Sequence, residues 1–265
     1  MRYKLAAKRM LGAVGRAFPR APQRRLILLY HSIGHTPWAM APDIFRAQME
    51  WLVSMGALNT LEEVIRGDGT GALQVSITFD DGYVSLLNEA MPILSSMNAQ
   101  ATVFLNTGWI DDVTHRRSDE ALGHYPSEHF LAWRDVKELV DNSWLVGSHG
   151  VEHLDLTRQS TGRVMFELVN SKNRIEEVLG GSCRGFAYTW GRNTLKLRNY
   201  VKSAGYDFAL AATHGPLMHV CNPFAIPRIN ISTEYTLDDF KAIIIGDWDY
   251  LEWASILRNA FGRAQ

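Results

Sequence analysis

Two short runs in this chain carry side chains suited to activating a water molecule. The first is Ser76-Ile77-Thr78-Phe79-Asp80-Asp81-Gly82. Apolar Val75, Ile77 and Phe79 alternate with Ser76 and Thr78, the pattern of a short buried strand. Two adjacent carboxylates then precede a glycine that lets the chain turn. Neighbouring strand residues face opposite ways, so Asp80 and Asp81 are expected to do different jobs. Two like charges this close are unfavourable unless a positive group lies beside them; the alternative is a solvated turn. The second run, Gly147-Ser148-His149-Gly150-Val151-Glu152-His153, sets two histidines four apart. On a helical turn that spacing points both imidazoles to one side, where they can share a divalent ion. Two neutral imidazoles and one carboxylate leave positions open for water and substrate, which is a catalytic rather than a structural donor set. Such an ion relieves the repulsion between the aspartates, one binding it and the other staying free. A lone His-x-x-x-His pair is often incidental, but here both runs follow a strand.

The elements that must position these groups alternate regularly. Leu26–Tyr30 is a fully apolar run ending in His31-Ser32, as in a strand buried on both faces. A helix is expected over Pro42–Met55, then a short one capped by Thr60 with Glu63 completing a capping box. Tyr83–Met97 reads as a helix kinked at Pro92, and Ala101–Leu105 as a strand. Residues 111–129 are polar and rich in His and Asp, a long surface loop of the kind that forms lids or binding elements. A helix over Trp133–Val140 and a strand over Trp144–Ser148 lead to His149. Thr161–Leu179 is a helix stopped by Gly180-Gly181. Further strands fit Gly185–Tyr188, Phe208–Ala211 and Ala225–Ile231, with a helix over Leu195–Ala204; helices over Leu237–Ile245 and Tyr250–Phe261 close the chain. Strands alternating with helices at least six times predict a parallel sheet. Polar residues fall at strand C-terminal ends (His31, Asp80, Asp81, Asn106, His149, Tyr188), where barrel active sites are built. No Gly-x-Gly-x-x-Gly follows the first strand, and no Gly-x-Ser-x-Gly elbow exists to support a serine nucleophile.

At 265 residues, with 46% hydrophobic and 21% charged side chains, the chain can bury one large α/β core. Cys183 and Cys221 are too few and too far apart for a disulfide framework or a zinc ribbon, and read as buried thiols. The net charge of −1 is unevenly spread. Residues 1–25 hold eight of the 27 basic side chains and none of the 28 acidic ones, which leaves the remainder at −9. That body will not attract nucleic acid. The basic arm also carries Leu5, Met10, Leu11, Val14 and Phe18 at roughly helical spacing, so it either lies on an anionic membrane surface or is a solvated helix or tail. No apolar run suits a signal peptide or a membrane span, and the expected location is the cytoplasm, with peripheral contact at the inner membrane face. Three parts are expected: the arm at 1–25, a barrel at 26–235 and closing helices at 236–265.

The chain resembles the polysaccharide deacetylases, the carbohydrate esterase family with the NodB-homology domain. The resemblance covers roughly residues 25–231. It rests on Thr78-Phe79-Asp80-Asp81-Gly82, Ser148-His149 with His153, Phe186-Ala187-Tyr188-Thr189-Trp190-Gly191, Phe224-Ala225-Ile226-Pro227-Arg228-Ile229 and the opening Leu28-Leu29-Tyr30-His31-Ser32-Ile33. It implies a distorted (β/α)-barrel with about seven parallel strands, in a branch where the strand bearing a catalytic histidine stands at the N-terminus as if circularly permuted. It further implies Asp80 as general base, His31 as general acid, and Asp81, His149 and His153 as ligands of one divalent ion. Zinc is the expected metal, with nickel, cobalt or iron as alternatives. Tyr188, Trp190 and Arg228 are expected on the substrate side, Trp190 as a sugar-stacking platform, and a backbone N–H near Tyr188 as an oxyanion donor. Two departures bear on the groove: Leu154 and Thr189 stand where the family usually has proline. Ala187 stands where many members carry an arginine that steadies the catalytic aspartate. Arg228 is the candidate replacement, the alternative being a surface strand arginine. His214 and His219 are the other candidates for the acid, while loop residues His115, His124 and His129 are expected to be solvated.

Together these imply a metal-dependent hydrolase that removes acetyl groups from N-acetylated sugars of a cell-envelope polysaccharide or lipid-linked glycan. Alternatives are a deformylase or O-deacetylase of the same family, a non-catalytic glycan-binding protein on the same fold, and an unrelated phosphate-handling enzyme that uses the Asp pair. The last leaves the histidine pair without a role.

Overall fold

The computed structural model describes residues 2–15, 23–111, 115–218 and 221–252. Helix α1 (Arg2–Gly15) precedes β1 (Arg24–Tyr30), α2 (Pro42–Ser54), α3 (Leu61–Arg66) and β2 (Leu73–Phe79). A π-turn at Leu86–Ala90 runs into α4 (Met91–Ser95), followed by β3 (Thr102–Leu105), α5 (Trp133–Asp141) and β4 (Leu145–Ser148). Then come α6 (Thr161–Leu179), β5 (Gly185–Ala187), α7 (Leu195–Ser203), β6 (Phe208–Leu210), β7 (Ile229–Asn230) and α8 (Leu237–Ile245). The seven strands form one sheet in the order β6-β5-β4-β3-β2-β1-β7, every pair parallel. The expected Ala225–Ile231 strand is split between the two edges. Ile226 bridges Leu210 at β6, while Ile229 and Asn230 pair with β1. Pro227 lies between and has no N–H for a ladder. This segment spans the gap between the first and last strands, and the sheet curls into a distorted barrel.

Period-2 alternation sorts each strand between two cores. Leu26, Leu28, Tyr30, Val75, Ile77, Phe79, Val103, Leu105, Phe186 and Ala209 pack outward against the helices. Ile27, Phe104, Ala187, Phe208, Leu210 and Ile226 fill the inside, and Leu61 and Val64 of α3 plug its lower end. A methyl at Gly147 or Gly185 would collide with the Phe104 or Phe208 rings, so glycine there lets aromatics occupy the narrow interior. Carried one step beyond the strands, the inward register holds His31, Asp80, Asn106, His149 and Arg228.

Two local readings change. Tyr83–Met97 is not a continuous helix. Pro92 cannot donate to an i−4 carbonyl, and the chain accommodates it with the π-turn immediately before. The thiols divide into a buried Cys183 and an exposed Cys221. The Thr60–Glu63 capping box forms as expected, and Trp144 is core, stacked on Phe79. Helix α1 is docked rather than free. Arg9 makes two hydrogen bonds of 2.7 and 2.6 Å to Asp239, Lys8 bonds Tyr235, and Gly12 lies against Trp248. The second closing helix lies outside the described residues from 253 onward.

Candidate active site

The site sits at the C-terminal ends of β1, β2 and β4. The Asp80 N–H donates to Tyr30 O, which fixes the Asp80 backbone level with the end of β1. Asp80 is buried, and its two carboxylate oxygens each accept a 2.7 Å hydrogen bond from a different η nitrogen of Arg228. Arg228 is wholly enclosed, and its Nε–H donates to Ala211 O at 2.9 Å. This is the bidentate fork that guanidinium geometry favours. Burial pushes the Asp80 pKa up more than any other single influence, but the Arg228 charge, its paired hydrogen bonds and any proton on His149 or His31 together reverse it, and the net shift is downward. The carboxylate therefore stays ionised and oriented at neutral pH.

Asp81 follows in the left-handed region, with φ of 71°. That departure from strand geometry brings both carboxylates into one pocket instead of onto opposite faces. Asp81 Oδ1 accepts from Asn106 Nδ2 at 3.1 Å and lies 3.7 Å from His149 Nε2 and 3.4 Å from His153 Nε2. The Tyr83 hydroxyl bonds the same carboxylate. Each histidine is oriented through its other nitrogen. His149 Nδ1 is 2.8 Å from Ala187 O and His153 Nδ1 is 2.7 Å from Leu122 O. A carbonyl can only accept, so Nδ1 carries the proton in both rings and Nε2 presents a lone pair. Burial lowers the His149 pKa against the opposing pull of Asp80 and Asp81, keeping it neutral. Burial acts to raise the Asp81 pKa, but a proton on any of the facing His153, His31 or His149 rings lowers it, and the net direction is downward.

Among the described residues, Asp81, His149 and His153 form the one group of His, Cys, Asp and Glu whose ligand atoms all lie within 4.8 Å of one another. Two oriented imidazole lone pairs and one ionised carboxylate, all buried, suit a divalent metal ion. The four-residue spacing works here through a turn, not a helix: Gly150 has φ of 90° and His153 φ of 57°.

His31 follows directly on β1 and borders both aspartates, so that a proton on its ring lowers their pKa values. His214 does not share the pocket. Its electrostatic neighbours are Asp249, Arg24 and Lys8, and its ring bonds the Trp248 backbone. His219 lies outside the described residues. Trp190 is 46% exposed beside His153, with ring centroids 4.8 Å apart. Two expected substrate contacts are corrected. The Tyr188 side chain is buried with its hydroxyl donating to Phe224 O, and its N–H donates to Leu210 O, so neither is free for ligand. Arg228 is enclosed behind Asp80 and cannot reach substrate; it holds the aspartate that Ala187 leaves without an arginine.

The 111–129 segment also differs from expectation. His129 is exposed and His115 pairs with Asp135 at 2.7 Å, but His124 is buried against Trp109, Phe130 and His153. Tyr125 packs beside His31 and Tyr83, and its N–H donates to the Tyr83 hydroxyl. Glu128 accepts from Ser32 Oγ at 2.9 Å. The loop is thus a wall of the pocket. Tyr83 carried one sequence signal, its place two residues beyond Asp81; His124 and Tyr125 carried none, because a loop has no periodicity to read.

Fold and site together are those of a (β/α)-barrel hydrolase. The model of the family described as polysaccharide deacetylase matches residues 68–209, over half of the chain, and the chain belongs to that family. YxkH of Bacillus subtilis (strain 168) is 24% identical over 229 residues, 84% of this chain and 77% of that protein. The poly-beta-1,6-N-acetyl-D-glucosamine N-deacetylase of Staphylococcus aureus (strain MRSA252) is 24% identical over 225 residues, covering 80% of this chain and 72% of its own. Streptococcus pyogenes deacetylase PplD, solved in complex with acetate, superposes with a TM-score of 0.72 at 23% identity, covering 84% of this chain and 99% of that one.

Proposed function

We propose that this enzyme hydrolyses the N-acetyl amide of amino sugars in a glycan polymer of the poly-β-1,6-N-acetylglucosamine type. One observation carries the reading: an ionised, guanidinium-clamped carboxylate stands 3.9 Å from His149, inside the same buried pocket as the Asp81–His149–His153 trio. The named Staphylococcus aureus relative supports the substrate class.

Asp81, His149 and His153 would hold the ion, and two imidazoles with one carboxylate form a donor set that zinc accepts. When bound, a divalent ion supplies Lewis-acid polarisation of the acyl oxygen and lowers the pKa of water towards roughly 7. The remaining work falls to side chains. Asp80, ionised and fixed by Arg228, takes the proton from the attacking water. His31, beside both aspartates, gives a proton to the departing amine as the C–N bond breaks. Trp190 offers a ring face at the mouth for a sugar. The buried walls exclude bulk water, so these charges act in a medium where they are strong.

The test pairs metal analysis with acetate release from N-acetylglucosamine oligomers. We expect about one divalent ion per chain in both wild type and Asp80→Asn, with release lowered about 1,000-fold in the variant. Metal without acetate release from any amide or ester substrate would point instead to glycan binding alone.

We also propose that α1 touches an anionic membrane surface from the cytoplasmic side. Met10 and Leu11 are 75% and 53% exposed on this basic helix, which supports the reading. Flotation of the full chain with anionic vesicles, compared with a Met10→Glu/Leu11→Glu variant, checks it; equal flotation of the two refutes it.

A further inference from the structure

The turn Gly150–Glu152 separates the two histidines of the trio and sets where His153 points. Its conformation is unfavourable in isolation. His153, a non-glycine residue, is held at φ of 57°, and Gly150 at 90°. Positive φ in a residue with a Cβ persists only where the surroundings enforce it. The enforcing contacts come from two sides. The Thr107 and Gly108 N–H groups donate to Gly150 O and Val151 O, both at 3.0 Å. From the other side, a single carboxylate oxygen, Glu167 Oε2, accepts the N–H of Val151 at 2.6 Å and of Glu152 at 3.0 Å. Glu167 stands on α6 with no exposed surface, and its second oxygen lies 2.8 Å from Arg163. One turn further along α6, Ser171 accepts from Ser148 Oγ, which in turn accepts the Gly150 N–H.

We propose that Glu167 is a positioning residue for the metal site: its carboxylate clamps the 150–152 turn and so holds His153 Nε2 towards Asp81. This rests on the reading of Asp81, His149 and His153 as metal ligands. Glu167 is not a ligand. It acts through two backbone N–H groups, so what matters is an acceptor oxygen at the right depth, not a negative charge near the ion. These two roles separate cleanly by substitution. Glu167→Gln keeps an oxygen at the Oε2 position and loses the charge. Glu167→Asp keeps the charge and withdraws the oxygen by one methylene.

The experiment measures Zn2+ dissociation constants by chelator competition at fixed pH on the full chain, with apo-protein melting temperature alongside. We expect Glu167→Gln to bind Zn2+ within about threefold of wild type and Glu167→Asp to bind at least tenfold more weakly, although both apo-proteins stay folded. The reverse order, with Asp tolerated and Gln weakened, would mean that Glu167 acts by its charge and would overturn the proposal. Unchanged affinity in both variants would overturn it too. Asp81→Ala serves as the control. If it binds Zn2+ as wild type does, the metal reading of the trio fails, independently of what Glu167 does.

Discussion

The pocket has a half built on strand ends and a half built on loops, and they are stabilised differently. His31, Asp80, His149 and Arg228 inherit their positions from the inward register of the barrel. Backbone ladders that exist for other reasons place them. His153, His124 and Tyr125 have no such ladder. Each is fixed by contacts specific to it: Leu122 O on His153, Asp119 N–H on His124 Nδ1, and the Tyr83 hydroxyl on the Tyr125 N–H. Changes in the strand half should therefore strike chemistry and folding together. Changes in the loop half should weaken the site by degrees.

The sharpest challenge to that division is Arg228→Met. It leaves Asp80 as an unpaired charge in the interior, a defect that typically costs about 3–5 kcal/mol. We expect a fall in melting temperature of many degrees and loss of acetate release, both read on one preparation. A variant as stable as wild type would show that the strand half is less rigid than its register implies. Next in size is His31→Gln, expected to lower kcat about 100-fold, while His214→Gln leaves kcat unchanged. Loss of activity on changing His214 rather than His31 would move the acid to another part of the fold. On the loop side, Tyr83→Phe removes the hydroxyl that joins the Tyr125 N–H to Asp81. Its expected effect is about tenfold weaker Zn2+ binding, with little change in stability, measured by the same chelator competition.

The same division explains what could be read from the chain alone. Strand-borne groups leave a trace, because period-2 alternation places Asp80 opposite Phe79 and the apolar run places His31 beyond Tyr30. Arg228 was legible as a candidate partner for Asp80 because Ala187 left the usual place empty. Its burial was not, since nothing in Ile226-Pro227-Arg228-Ile229 says that the segment closes a barrel. His124 looked solvated because a polar loop carries no sign of which residue folds back into the core. Glu167 lay in the interior of a long amphipathic helix, where a buried glutamate and an exposed one look alike. The spacing of His149 and His153 brings the two rings together for a reason other than helical geometry, namely the left-handed Gly150 and His153 that only the structure reveals.

Acid sensitivity tests the two regions from outside the pocket. His214 is pushed down to about 4, first by burial, with Arg24 and Lys8 adding to the effect and Asp249 opposing it. In the unfolded chain the same imidazole titrates near 6.5. Between these values the unfolded state binds more protons than the folded one, so stability must rise with pH across that window. The contribution is complete above about 6.5 and is lost as pH falls towards 4; a gap of this size corresponds to about 3 kcal/mol. His214→Phe removes the proton-binding site without touching Asp80 or the trio. Melting temperature of the apo-protein followed from pH 7 to pH 4 should therefore fall less steeply in the variant than in wild type, with acetate release at neutral pH unchanged. If both proteins lose stability along the same curve, the acid sensitivity belongs to the pocket, where burial also pushes His124 down to about 4 and lowers the pKa of His149.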